Sequence, residues 1–255
     1  MSRYSAFICA FSAVACLALV TAVDASVLVD FKPDPGSPTL YEIGWTGGQL
    51  VQRPGSVGNG DGTLDPWKQT PGGLNIQTPF HIVGVPGSTT NTSDNSTTFY
   101  DVTLQLTDLA ASGPPVKMPL PGVVWVFQNV DTGTFTFLST DPGGGATTLL
   151  TGTINSASIV GKEGQASGWF ESNDVDYTGG KIYDALIAAG GNPDGASLSW
   201  SLIDIGGGLR VVGAGSLATL QSFDANMTGL LTPEPATLCL MGVGVAVALV
   251  SRRKR

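Results

Sequence analysis

Cysteine is nearly missing from this chain of 255 residues, and its placement matters more than its number. The three cysteines are Cys9, Cys16 and Cys239, all inside the apolar stretches near the two ends. The long stretch between them has none, which excludes a disulfide scaffold and a thiolate nucleophile there. Histidine is scarcer still. His81 is the only one, within the apolar run Phe80-His-Ile-Val83, where a strand residue is expected rather than a catalyst. A single histidine excludes a His-rich zinc site and leaves little basis for a Ser/His or Cys/His triad. Basic charge is thin as well. Residues 26–235 hold seven cations against nineteen acids, a net of about −12 there compared with −8 for the whole chain. Nucleic-acid binding rests on phosphate neutralisation by basic side chains, so that class is excluded too. No Gly-x-Ser-x-Gly elbow occurs, nor a phosphate-binding loop ending in Lys-Ser or Lys-Thr.

What is present concentrates first at the ends. Met1-Ser-Arg3 supplies a positive start, Ala6 to Val20 an apolar run, and Val23-Asp-Ala25 a small-residue exit. Residues 1–25 therefore read as a signal peptide cut after Ala25 by signal peptidase. A lipoprotein reading through Cys16 lacks a Leu-led box, since Ala13-Val-Ala15 precedes it. At the other end Thr232-Pro233-Glu234-Pro235 leads into an uncharged run from Ala236 to Val250, closed by Ser251-Arg252-Arg253-Lys254-Arg255. Fifteen residues span roughly 22 Å as a helix, short of the ~30 Å hydrocarbon core. Four cations follow at once, and their long stems reach back to the headgroups. A transmembrane helix over 236–250, with Arg252, Arg253, Lys254 and Arg255 as its stop, is the expectation.

This three-part tail resembles the PEP-CTERM sorting signal. The resemblance implies that Pro233, Glu234 and Pro235 form the box recognised by an exosortase-type membrane transpeptidase, which removes the tail during export. It also implies transient anchorage in the inner membrane of a bacterium, then release to the envelope or the extracellular space. Members of that family often accompany exopolysaccharide production, which makes exopolysaccharide a further partner implied by the resemblance.

The remaining body, 26–231, shows period two broken by turns. Tyr100, Val102, Leu104 and Leu106 alternate with Asp101, Thr103, Gln105 and Thr107. Phe135 and Phe137 alternate with threonines, and Leu198, Trp200 and Leu202 with serines. Such alternation predicts half-buried strands. Val123 to Phe127 is apolar throughout and predicts a central strand buried on both faces. Further strands are expected at 27–31, 146–154 and 208–212. Turns rich in glycine and proline separate them, at 34–36, 71–73, 141–145 and 206–208. Lys181 to Ala189, closed by Gly190-Gly191, is the one predicted helix. The fold class expected is mainly β, an antiparallel β-sandwich or jelly roll with one short helix. Residues 32–98 are the least regular part.

Chemistry would have to come from carboxylates and aromatics. Glu171, Asp174 and Asp176 lie within Phe170-Glu-Ser-Asn-Asp-Val-Asp-Tyr177. On a loop they would offer oxygen donors to a hard cation such as calcium, or a carboxylate pair to a glycoside hydrolase. The same residues also suit a solvated acidic turn. Asn59, Asp61 and Asp65 in Asn59-Gly-Asp-Gly-Thr-Leu-Asp65 look like part of an EF-hand or dockerin calcium loop. Val57 and Lys68 stand where that loop needs acids, and Pro66 opposes the helix that should follow; a simple Gly-Asp-Gly turn fits as well. No other cofactor is implied, and no catalytic residue is assigned. Trp125 and Trp200 sit in strand patterns and are expected in the core. Trp45, Trp67 and Trp169 are candidates for a sugar-binding face. The expectation for function is a non-catalytic envelope or matrix protein, with a carbohydrate-binding sandwich and a carboxylate hydrolase as the alternatives.

Overall fold

The structure, a computed structural model, describes residues 27–33, 43–52, 74–140 and 145–233. Ala25, the Asn59–Asp65 loop, Trp67, Glu234, Pro235, the expected membrane helix 236–250 and the basic cluster 252–255 lie outside these residues. Among the described residues no helix is long and apolar enough to cross a membrane.

The body is built from strands β1 (Val29–Pro33), β2 (Ile43–Thr46), β3 (Gln49–Gln52), β4 (Leu74–Thr78), β5 (Ser88–Thr90), β6 (Thr97–Thr107), β7 (Val116–Leu120) and β8 (Val123–Val130). They continue with β9 (Gly133–Thr140), β10 (Ala146–Lys162), β11 (Gly168–Gly179), β12 (Ala196–Ile203), β13 (Val211–Val212), β14 (Thr219–Leu220) and β15 (Phe223–Thr232). Helix α1 (Lys181–Ala188) joins β11 to β12, and its buried Ile182 and Leu186 fix its inner side.

A sandwich or jelly roll was expected, and a closed barrel is found instead. Eight strands pair antiparallel in the order β1-β4-β6-β9-β10-β11-β12-β15, and β15 then pairs with β1. The closing register sets Val29 opposite Leu231 and Phe31 opposite Gly229. The hairpin β2–β3 extends β15 at its other end, with Trp45 opposite Phe223. Closure removes the open edges that would otherwise template association. Bulges supply the bending. β10 shifts register between Thr148 and Leu150 against β9, and at three places against β11.

Side chains pointing inward fill the interior, as the narrow bore of eight strands requires. Phe170 stacks on Trp200 with ring centres 4.8 Å apart, and Phe31 meets both Trp200 and Phe137. Phe135 lies edge-on to Tyr177. Inward glycines make room for these rings. At Gly229 a Cβ would come within 2.5 Å of the Ser199 carbonyl oxygen and 2.6 Å of both Phe31 Cζ and Trp200 Cδ1. Tyr177 is buried, its hydroxyl has no hydrogen-bond partner, and burial pushes its ionisation well above the usual phenol range.

The alternation predicted for β9 and β12 is the observed one, with Phe135, Phe137, Leu198, Trp200 and Leu202 buried. In β6 it breaks once. Leu74 and Ile76 face Val102 and Phe99, so β6 holds one extra residue there and Tyr100 turns outward. β8 departs further from expectation. It is not a central strand buried on both faces, for Val123, Trp125 and Phe127 are partly exposed on one side. His81 follows β4 in an irregular segment and is exposed, not a strand residue.

Three stability outcomes are expected. Gly229→Ala should cost about 1–3 kcal/mol through overpacking against backbone and rings. Gly206→Ala, whose Cβ would meet nothing closer than 3.8 Å, should stay within about 0.5 kcal/mol. Tyr177→Phe removes a buried hydroxyl without a partner and should stabilise by about 1 kcal/mol. Urea unfolding of the three variants checks all of this.

Candidate functional site

A seam crosses the outer surface of the barrel where four neighbouring strands lose regular pairing at one level. β6 pairs with β9 and β7 with β8, with a lone bridge from Ala111 to Val130 between the two ladders. Each pair is thus one long ribbon interrupted at mid-length, where Asp108 adopts a positive φ of 61°. β10 faces β9 up to Ile154 and β8 from Ala157 onward, so Asn155 and Ser156 sit at the break. β11 bulges between Ser172 and Val175. The seam leaves a groove of about 470 Å³, bordered by Asn129, Asp131, Asn155, Ser158, Glu171 and Asp174.

The acidic group read from the sequence therefore lies on a strand and not on a loop. Phe170, Ser172, Val175 and Tyr177 point inward, and one bulged residue between Ser172 and Val175 disguises the period. Register sets Glu171 opposite Ser158, Asp174 opposite Ser156 and Asp176 opposite Thr153. Asp174 and Asp176 are drawn together by a single amide. Asn155 Nδ2 donates to Asp174 Oδ1 and to Asp176 Oδ2, both at 2.9 Å. The Gly195 N–H donates to Asp176 Oδ1 at 3.1 Å. The Asn155 amide, helped by the Gly195 N–H, holds the Asp176 carboxyl below its usual range. Glu171 is not part of this cluster, and among the described residues no three His, Cys, Asp or Glu side chains are placed to share a metal ion. The groove itself presents amides, hydroxyls and carboxylates to solvent, with Ser158 Oγ donating to Asn129 Oδ1 at 3.1 Å.

Beside the groove stands an aromatic ledge. Trp125 of β8 and Trp169 of β11 flank β10 on the outer face and stack at 5.9 Å with an interplanar angle of 19°. Lys162 Nζ lies 5.6 Å from the Trp125 ring centre, and Trp169 is 42% exposed. Val116, Met118 and Leu120 on β7 continue this face and are exposed. Two tryptophan assignments thus change. Trp45 is core, 1% exposed, and not on a sugar-binding face; Trp125 is partly exposed on the ledge and not core. Trp200 is core and Trp169 is on the surface, as expected. Sequence reasoning missed Trp125, Asn129, Asp131 and Asn155. For Trp125 the run Val123–Phe127 is apolar at every position, so parity gave no signal. The other three matter only because the seam brings separate strands together.

Residues 231–255 match the model of the PEP-CTERM protein-sorting motif. No curated protein and no solved structure matches the chain. The match includes Pro233, Glu234, Pro235 and the basic cluster from Arg252 to Arg255, and it implies export with an exosortase as the enzyme that reads the tail. A barrel-forming body thus precedes a PEP-CTERM protein-sorting motif, which this chain carries at residues 231–255.

Proposed function

We propose that this is a non-catalytic protein of the bacterial cell envelope or extracellular matrix, exported, held briefly at the inner membrane and released from its tail by an exosortase. The observation that carries this reading is the motif over residues 231–255. The body supports it in two ways. Its interior is filled by rings and aliphatic side chains, which leaves substrate chemistry to the outer surface. Asp174 and Asp176 are already engaged by Asn155. Calcium at Asn59, Asp61 and Asp65 would be a structural addition to this role.

A second reading, carbohydrate binding, is favoured by one specific arrangement. Stacked Trp125 and Trp169 stand next to a groove lined by amides and carboxylates. Ring faces against a sugar, with polar groups fixing its orientation, are what saccharide recognition uses. The strongly acidic body would repel anionic glycans, so neutral or amino-sugar polysaccharides are the matching class.

Mass spectrometry of the protein from its native host is expected to show a chain that lacks Arg252–Arg255 and the apolar run before them. Glu234→Ala should leave the full-length form in the membrane fraction. An intact C-terminus at Arg255 in the mature wild-type protein would contradict the processing role. For the second reading, Trp169→Ala should weaken retention in polysaccharide affinity electrophoresis about tenfold, equivalent to ~1.4 kcal/mol. Unchanged mobility of this variant counts against a glycan site on the ledge.

A further inference from the structure

The sorting motif begins inside the barrel, not after it. Its first residue, Leu231, is fully buried on β15. It stands opposite Val29 on one side and Leu198 on the other, and its carbonyl accepts the Leu28 N–H at 2.8 Å. Thr232 pairs with Ser197, and its hydroxyl donates to the Ser197 carbonyl. Pro233, the first residue of the box, is itself buried. Barrel and box are therefore joined without a linker. From Pro233 to Ala236 is three residues, which extended chain covers in at most ~10 Å. Pro233 follows directly on the paired residue Thr232, with no slack between the two.

Enzymes that cut or transfer peptide bonds take an extended segment whose backbone groups are free to pair with the enzyme. On the amino-terminal side of this box, those groups already belong to the ladders with β1 and β12. Cleavage at such a site proceeds through the locally opened form, and its rate follows the population of that form when opening is fast.

We propose that closure of the barrel withholds the Pro233-Glu234-Pro235 box from the exosortase, which acts only when the end of β15 leaves β1 and β12. This inference rests on the exosortase reading given above. The device ties release to the state of the fold. A chain whose barrel is not yet closed is open to processing, and a closed barrel keeps its tail until the strand end frays. After the cut, Leu231 returns to its buried position and the barrel closes without the tail.

Pulse–chase of the full-length chain in its native host, following loss of the tail, tests this. One variant carries six Gly-Ser residues inserted between Thr232 and Pro233, which leaves both the box and the barrel strands intact. It should be processed more than about tenfold faster than wild type. Leu231→Ala, which loosens the strand end, should speed processing of the wild-type chain but not of the insertion variant. Equal or slower processing of the insertion variant overturns the proposal while leaving the exosortase role standing. Loss of the tail from neither chain overturns both.

Discussion

The antiparallel ladder between β1 and β15 is the constraint on which the rest of the body depends. Without it the eight strands would form an open, curled sheet with two long edges. With it, Phe31 and Gly229 face each other, and Phe31 lies against Trp200 in the enclosed bore. Burial of those rings is the main stabilising term, and it exists only once the first and last strands of the body have met. Such a contact joins distant parts of the chain, so it forms at a cost in loop-closure entropy.

Closure also decides where the tail begins. Because β15 is the closing strand and the sorting motif starts at Leu231, the address signal and the final ladder share residues. Leu28 and Leu231 are hydrogen-bonded neighbours, so the body's entry and exit points lie together at one end of the barrel. Past the seam the ribbons β6–β7 and β8–β9 run on and carry Trp125 and the exposed face of β7, with Trp169 beside them on β11.

Much of this was legible in the sequence. Leu198, Trp200 and Leu202 alternate with serines because one side of β12 meets the bore and the other meets water. Helix α1 was visible through its spacing and its closing glycines. The barrel was not, since a strand in a sandwich and a strand in a barrel share the same local pattern. The distinction lies in whether Val29 meets Leu231, a contact no window of sequence contains. The acidic segment resembles a loop for a related reason: one bulged residue between Ser172 and Val175 hides a strand. Trp125 was hidden in a run with apolar residues on both faces. The sorting box was the clearest feature, because Pro233-Glu234-Pro235, the apolar run and the basic cluster act through their order along the chain and need no fold to be recognised.

The central claim is that the body is a barrel closed by β1 and β15, and amide hydrogen exchange tests it most directly. If the account is right, the amides paired across the two strands, with Leu28 bonded to Leu231 among them, exchange as slowly as those of the β10–β11 ladder. Exchange at the rate of an unpaired edge strand, with β10–β11 still protected, would contradict it.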